Sequence, residues 1–525
     1  MTLFHRAAFA AITIVFTIVS GAQAAEIDIP YTEFTLDNGL RVIVHEDHKA
    51  PIVAVNIWYH VGSKNEKPGK TGFAHLFEHL MFNGTENYND EYFKPFDRVG
   101  ATDQNGTTWL DRTNYFQNVP TTALDLALWM ESDRMGHMLG AVTQERLDEQ
   151  RGVVQNEKRQ FESQPYGKTY ELLQSNLFSS DHPYSWFTIG YMEDLEAASL
   201  EDVYEWFKTY YGPNNAVLVI AGDVTPDVAR EKVERYFGDI PPGPPLMKHE
   251  AWAPKLRFDK RVSMQDRVPQ ARLFKMWVGP HWTSPDADLL QIAGAILSTG
   301  KSSRLYKRLV YEDQVATAVD AEPSIFEIAS FLGVDAMAQP GGDLAAIEAA
   351  IDEELARFLD KGPTQAEVDR AVTGIRAELL RGLEQIGGFN GKAQLLARNA
   401  TYAGDPTHYK TSLRRMEEAT PEAVRDAARR WHSAASFTLE VHPYPEVAAE
   451  GEGIDRSGGP PMPDDFPEVD FDDFERGVLS NGLEVLVVTR DALPIVRFET
   501  LFDAGYAADA TAKLGTANLV MTMLD

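Results

Sequence analysis

The sequence predicts an α+β fold in which mainly antiparallel sheets carry packed helices and the folding module is repeated. Asn38-Gly39 between two apolar segments is typical of a β-hairpin turn. Amphipathic helical patterns follow at residues 123–138 and 144–164, the second ending before Pro165. Asn481-Gly482-Leu483 then repeats Asn38-Gly39-Leu40, which indicates a second copy of the module.

Length and composition exclude several classes of protein. A chain of 525 residues is too long for one core and predicts about three or four domains. The net charge of −30, from 79 acidic and 49 basic residues, argues against binding to nucleic acid or to an anionic membrane surface. Cysteine is absent, so thiol catalysis and disulfides are excluded and any metal ligands must be histidines or carboxylates.

The first 24 residues have the pattern of a signal peptide. Arg6 precedes an apolar run at 7–19, which is too short to span a bilayer comfortably, and Ala22-Gln23-Ala24 fits a small-residue cleavage site. We therefore expect an exported protein, most plausibly periplasmic, with no membrane attachment after the signal is removed. The alternative is an uncleaved signal anchor.

Two more strand regions are expected before the helices. Residues 52–59 follow Pro51 and are largely apolar, which predicts a strand. Residues 104–116 are rich in threonine and aromatic residues and predict one or two strands.

His75, Glu78 and His79 lie in an otherwise apolar segment, residues 71–85, that is predicted to be helical. Thr71 is the expected N-cap. In a helix the two histidines lie on one face, one turn apart, where they can bind a single metal ion with Glu78 beside them. This H-x-x-E-H pattern is the one that inverzincin metallopeptidases use. The alternative is a pair of core histidines with a surface glutamate.

A catalytic zinc site needs a third protein ligand besides the two histidines. Glu157 in the predicted helix 144–164 is a candidate. Spacing alone does not select it from 79 acidic residues, and a single helix glutamate is usually solvated.

A family resemblance makes the choice specific. The chain resembles the insulinase/pitrilysin family of zinc metallopeptidases, strongly over residues 31–225 and more weakly beyond. The resemblance implies one Zn²⁺ per chain, held by His75, His79 and Glu157, with Glu78 as the general base. The segments that carry it are Gly62-Ser63, Glu66, residues 72–82, Gly84-Thr85, and residues 105–107, 129–135, 156–159 and 211–223.

Two further assignments follow from the resemblance. Many family members carry a glutamate where this chain has Gln150, two helical turns before Glu157, and we expect Gln150 to tune the site without removing a ligand. Asn105, Gly106 and Thr107 resemble the family's substrate-binding edge, where a peptide can pair as an added strand. The alternative for these three residues is an ordinary interior strand.

The resemblance also implies two halves, each made of two similar domains. Residues 25–245 are the expected catalytic domain, and residues 250–442 a second domain of the same type without a metal. Residues 443–476, rich in Pro, Gly, Asp and Glu, are expected to be a linker.

Residues 477–525 are expected to begin a degenerate second half. The repeat continues without a gap, so that Asn518, Met521 and Thr522 stand where the first copy has His75, Glu78 and His79. We expect the chain to be a fragment of a longer protein whose second half packs against the first.

The function predicted from these observations is that of a zinc-dependent endopeptidase. Its expected substrates are peptides or short unfolded polypeptides. One alternative is a non-catalytic scaffold or partner subunit of a peptidase-like complex. Another is an exported zinc-binding or solute-binding module, although such a module has no need of a base at Glu78.

Overall fold

The computed structural model describes residues 27–445, 457, 459–460, 462, 474–489, 497–509 and 513–523. The predicted signal peptide and most of the predicted linker lie outside these ranges. The described residues form two compact units, one ending at residue 445 and one formed by the residues after it. Among them, no helix combines the length and apolar character that a membrane span requires.

The first sheet belongs to the first unit and has six strands: β1 (Thr32–Thr35), β2 (Arg41–Glu46), β3 (Ile52–Tyr59), β4 (Thr102–Thr108), β5 (Thr113–Pro120) and β6 (Ala216–Gly222). They lie in the order β1-β2-β6-β3-β5-β4, and every neighbouring pair is antiparallel except β2 and β6. The hairpin predicted at Asn38-Gly39 is confirmed, and Gly39 takes the positive φ, 89°, that its turn requires. Residues 104–116 contribute to two strands.

The helices of this part are α1 (Phe73–Leu80), α2 (Lys94–Arg98), α3 (Leu124–Gly136), α4 (Gln144–Ser163), α5 (Thr169–Leu177), α6 (Met192–Ala197), α7 (Leu200–Tyr210) and α8 (Pro226–Phe237). The predicted helices at 123–138 and 144–164 correspond to α3 and α4. The Thr143 hydroxyl caps α4 by accepting the backbone N–H of Arg146.

The second sheet comprises β7 (Lys260–Asp266), β8 (Arg272–Gly279), β9 (Ala316–Asp320), β10 (Ser324–Ile325), β11 (Ser330–Ala338) and β12 (Phe437–Pro443). Its helices are α9 (Pro285–Ser298), α10 (Leu344–Lys361), α11 (Gln365–Gly382), α12 (Lys392–Ala403), α13 (His408–Glu417) and α14 (Pro421–His432), and a π-helical turn spans Tyr306–Glu312. The main strand order is β10-β11-β8-β12-β7, β9 also pairs with β11, and the β7–β12 pair alone is parallel. Each sheet is thus mainly antiparallel with one parallel pair, as the predicted α+β class requires.

The first sheet is covered on both faces. Along β3, Val55 and Ile57 face a core shared with α1, α3, α7 and α8. Ala54 and Trp58 alternate to the other face and pack against α12. Because a sheet buried on both faces cannot shift its register without exposing apolar side chains, α12 helps to fix the strands beneath α1.

Buried charges join the two sheets of the first unit. Glu327 pairs with Lys64 and with His60. Lys64 also pairs with Asp111, which lies in the turn between β4 and β5. The backbone N–H of Glu327 donates to Asp111 at 2.9 Å. These groups would be costly to bury singly, so they hold the β4–β5 turn in one position relative to the second sheet.

The second unit repeats the first elements of the chain. β13 (Phe474–Val478) and β14 (Glu484–Val488) form a hairpin, followed by a 3-10 turn at Tyr506–Ala508 and by α15 (Thr516–Thr522). Gly482 has φ 88°, close to the 89° of Gly39. β13 begins inside the predicted linker, because its residues pair with β14.

Candidate active site

Helix α1 carries the central side chains of the site and is buried in the first unit. Phe73, Ala74, Leu76, Phe77 and Leu80 have little or no exposure and form part of the core under the first sheet. These apolar side chains hold the eight-residue helix against the first sheet.

The prediction that Thr71 caps α1 is wrong. The N-cap is Gly72, whose φ of 80° brings its backbone against Ile189; a Cβ at this position would lie 2.5 Å from the Ile189 carbonyl oxygen. The backbone N–H and the hydroxyl of Thr71 instead donate to Asp194, at 2.9 and 2.7 Å.

Glu66 takes the capping position from outside the helix. Its carboxylate accepts the backbone N–H of Gly72 at 3.1 Å and that of Ala74 at 2.8 Å, and the Trp186 indole N–H donates to it at 2.8 Å. Burial raises the pKa of Glu66, and the N–H donors, which bond the ionised form, act in the opposite direction. Sequence analysis placed Glu66 in the family signature without assigning it this contact.

His75, His79 and Glu157 are brought together by the packing of α1 against α4. One ligand atom from each lies within 4.8 Å of the others. The Nε2 atoms of His75 and His79 are 3.8 and 3.4 Å from the Glu157 carboxylate, and the imidazole rings stand nearly perpendicular with centroids 4.8 Å apart. Among the described residues these three form the single group of this kind.

The donor set fits a zinc ion. Two imidazoles and one carboxylate are the ligand types of a catalytic zinc site that keeps one position for water or substrate. The side chains are 15%, 24% and 48% exposed, so the group lies at a surface that solvent and a substrate can reach. His75 turns its Nε2 atom toward Glu157, and its buried Nδ1 atom has no hydrogen-bond partner within the described part of the chain.

The charge states of His75 and Glu157 suit a cation. Burial, with a smaller effect from His79, lowers the pKa of His75 to about 4, so its ring is neutral at pH 7. The hydrogen bond with His79 lowers the pKa of Glu157, which keeps that carboxylate ionised. Neutral imidazole and ionised carboxylate are the forms that bind zinc.

Glu78 lies next to the ligands but is much more buried, with 8% exposure. Its Oε2 atom has no hydrogen-bond partner in the described residues. Burial raises the pKa of Glu78, while a hydrogen bond with the Thr108 side chain and the charge on His79 act in the opposite direction. A carboxylate with an unpartnered oxygen and a raised pKa is suited to accept a proton.

Asn105, Gly106 and Thr107 lie on β4, the last strand of the first sheet. Its inner edge pairs with β5, and no strand among the described residues pairs with its outer edge. Gly106 has no room for a side chain, since a Cβ would lie 2.6 Å from the Phe82 ring. The Arg112 guanidinium donates to the Thr107 carbonyl at 2.7 Å and thereby supports the strand from the β4–β5 turn. Sequence analysis did not identify Arg112.

Gln150 lies on α4, two turns before Glu157, and its side chain is buried. Within the described residues, no hydrogen bond joins it to His75, His79 or Glu157. The effect of Gln150 on the metal ligands stays a prediction.

An aromatic cavity of about 400 Å³ adjoins the C-terminal part of α4, one turn beyond Glu157. Phe161, Tyr170 and Phe187 stack on one wall, and Phe274 and Phe331 of the second sheet line another. This cavity brings together residues of α4, α5 and the second sheet that no sequence motif connects.

Two models of one peptidase family match most of this first unit. The model described as "Insulinase (Peptidase family M16)" matches residues 41–184, and "Peptidase M16 inactive domain" matches residues 197–375. The first match contains the whole donor set and Glu78.

Curated relatives with zinc protease names are similar over most of their length. "Zinc protease PqqE" of Helicobacter pylori is 29% identical over 67% of this chain and 79% of the relative. "Uncharacterized zinc protease SCO5738" of Streptomyces coelicolor is 26% identical over 75% of this chain and 86% of the relative.

Solved structures agree on the fold. A protease from Helicobacter pylori superposes with a TM-score of 0.73 at 25% identity, over 79% of this chain and 99% of the other. The periplasmic protease PqqL from Escherichia coli gives a TM-score of 0.64 over 90% of this chain and 57% of the other; at 17% identity this likeness shows the fold alone.

The first prediction concerns the third ligand. We expect Glu157→Ala to weaken zinc binding at least about tenfold, because a two-histidine site lacks one of three protein ligands. Glu149→Ala, an exposed glutamate on the same helix, is the matched control and should keep full zinc content. Metal analysis after dialysis measures both. Equal zinc content in the two variants would refute the assignment of Glu157.

The second prediction concerns pH in the zinc-free protein. In the unfolded chain a histidine has a pKa of about 6.5, whereas His75 in the folded chain has a pKa of about 4. The unfolded state therefore binds more protons between these values, and His75 lowers the free energy of unfolding by up to about 3 kcal/mol as the pH falls from 6.5 to 4.

Urea denaturation in the presence of a chelator at pH 7.5 and pH 4.5 measures this loss. His75→Asn removes the titrating group, so the variant should lose less stability than the wild type over the same interval. Parallel losses in the two proteins would contradict the prediction.

Proposed function

The chain belongs to the insulinase family of peptidases, peptidase family M16, and on that premise we propose that it is a zinc-dependent endopeptidase. The observation that carries the proposal is the buried Glu78 carboxylate beside the His75, His79 and Glu157 donor set, because its Oε2 atom has no hydrogen-bond partner among the described residues. A storage or transport site needs the three ligands but not a buried base.

The proposed role of each residue follows from its donor atoms and its place in the site. His75, His79 and Glu157 would hold one zinc ion per chain. When bound, the zinc ion would supply Lewis-acid polarisation of a scissile carbonyl and a lowered pKa of water. Asn518, Met521 and Thr522 stand at the matching positions of the second unit, so the proposed chemistry belongs to the first unit alone.

Glu78 is the proposed general base. Its Oε2 atom would accept a proton from the attacking water and then donate that proton to the amine that leaves the cleaved peptide bond. The raised pKa supports the uptake of the proton, because burial makes the Glu78 carboxylate a stronger base.

The open edge of β4 is the proposed place for the substrate. A peptide that adds as a strand beside Asn105, Gly106 and Thr107 is recognised mainly through its backbone, which suits peptides and short unfolded polypeptides of varied sequence. The absence of a side chain at Gly106 and the support of Thr107 by Arg112 favour a fixed edge.

Export to the periplasm is also proposed. The signal-peptide pattern of residues 1–24 supports it, and a periplasmic protease is among the proteins of similar fold.

A non-catalytic partner subunit is the second candidate function. The match of residues 197–375 to a domain described as inactive favours it for the second sheet region. Wild-type protein that binds zinc but hydrolyses no member of a diverse peptide library would favour this alternative over the enzyme.

The third prediction tests the base. We expect Glu78→Gln to retain zinc and to lower kcat/KM for a quenched fluorescent peptide about 10³-fold, because the amide cannot accept the proton. Glu149→Gln is the matched control and should hydrolyse the peptide at the wild-type rate. Hydrolysis that survives Glu78→Gln with zinc retained would exclude the proposed mechanism.

The fourth prediction tests the edge strand, with the Glu78→Gln chain as a binding-competent protein that does not cleave. Alternate amides of an extended peptide point to the same side, so N-methylation of one alternate set removes the hydrogen bonds to β4. Two lost hydrogen bonds weaken binding about tenfold.

Fluorescence anisotropy of two labelled peptides, methylated at one or the other alternate set, measures the difference. The peptide with the second set methylated is the matched control and should bind like the unmodified one. Equal affinities for all three peptides would rule out strand addition.

A further inference from the structure

We propose that Glu66 is a positioning residue for the metal site, holding the start of α1 so that the following turn presents His75 and His79 together. The proposal rests on the proposed zinc site but not on peptide hydrolysis. Its basis is a hydrogen-bonded carboxylate that both copies of the module retain, although only one copy retains the metal ligands.

The first copy shows what the carboxylate does. Gly72 has no side chain that could cap α1, and the orphan N–H groups of a helix start need acceptors. Glu66 accepts the N–H groups of Gly72 and Ala74 with its two oxygens, at 3.1 and 2.8 Å. Because Ala74 immediately precedes His75, these bonds fix the direction in which the helix begins.

The second copy shows the same arrangement with a shorter acid. Asp509 occupies the position that corresponds to Glu66, and its carboxylate accepts the N–H groups of Gly515 at 2.6 Å and Ala517 at 2.8 Å. Gly515, like Gly72, has a positive φ, 92°. The copies thus share the external cap while Asn518, Met521 and Thr522 replace the ligands and the base, so the cap serves the helix and not the metal directly.

The carboxylate also ties α1 to the substrate edge. Glu66 follows the 3-10 turn Ser63–Asn65, in which the backbone N–H groups of Ser63 and Lys64 donate to the carbonyls of Trp109 and Leu110. Those carbonyls belong to the turn between β4 and β5. The Trp186 indole N–H donates to the Oε2 atom of the same carboxylate, which also accepts the Gly72 N–H, so three separate chain segments meet at Glu66.

A positioning role differs from a purely stabilising one in its effect on the metal. If Glu66 only stabilised the fold, its loss would lower the denaturation midpoint while the folded protein kept its zinc affinity. If it positions α1, the zinc Kd rises even where the protein is folded, because the imidazoles no longer meet Glu157 in the same geometry. Groups that orient metal ligands typically change affinity by 10- to 100-fold.

The test compares Glu66→Gln with Asp509→Asn in the full chain, which is the same chemical change in the two copies. Zinc Kd is measured by competition with a chromogenic chelator, and the visible spectrum of the Co²⁺-substituted protein reports ligand geometry. We expect Glu66→Gln to raise the zinc Kd about tenfold and to change the Co²⁺ spectrum. Asp509→Asn should change neither, and Glu66→Asp, the acid found in the second copy, should restore most of the affinity.

Trp186→Phe tests the same contact if Glu66→Gln does not fold. It removes one donor to the carboxylate and should raise the zinc Kd about threefold. Equal zinc Kd values and Co²⁺ spectra for the wild type and the folded Glu66 or Trp186 variant would overturn the positioning role alone. A wild-type chain that binds no zinc would overturn the zinc site, and this inference with it.

Discussion

The contact between α1 and α4 is the constraint on which the rest of the site depends. α1 is buried against the first sheet, so His75 and Glu78 lose most of their hydration and need compensating partners. α4 supplies a half-exposed carboxylate, Glu157, within hydrogen-bonding or ion-pairing reach of both imidazoles. The two imidazoles and the carboxylate together offer nitrogen and oxygen donors, which are the ligand types of a catalytic zinc site.

The repeated module separates the requirements of the fold from those of the chemistry. Hairpin, positive-φ glycine, short turn and externally capped helix occur in both copies. These features are needed to start a short helix after a tight turn, whatever side chains it carries. The histidines and the glutamate of α1 occur only in the first copy, so the scaffold does not require them and their presence there calls for a chemical explanation.

The position of β4 at the end of the sheet would let the proposed substrate recognition and the structural support use different residues. No strand among the described residues pairs with the outer edge, where the Gly106 N–H donates to the Asn105 side chain at 2.8 Å. The inner side is held by β5, by Phe82 packed on Gly106, and by Arg112. Within the β4–β5 turn, Asp111 pairs with Lys64, which also pairs with Glu327, and these contacts connect the turn to the second sheet. A domain without metal ligands can therefore contribute to the site by fixing the strand that borders it.

The sequence by itself determined the local elements, because their causes lie within a few residues. Asn38-Gly39 specifies its hairpin, and the spacing of His75, Glu78 and His79 places them on one helix whatever surrounds it. Spacing did not select the third ligand, and only the family resemblance pointed to Glu157, because its approach to the imidazoles depends on how α4 packs against α1. The tertiary structure also shows that Glu66, and not the predicted Thr71, caps α1. Gly72 packs against Ile189, and the Thr71 hydroxyl donates to Asp194 instead. Arg112, the aromatic cavity and the burial that shifts the pKa values of His75 and Glu78 likewise arise from contacts between distant segments, which local periodicity does not encode.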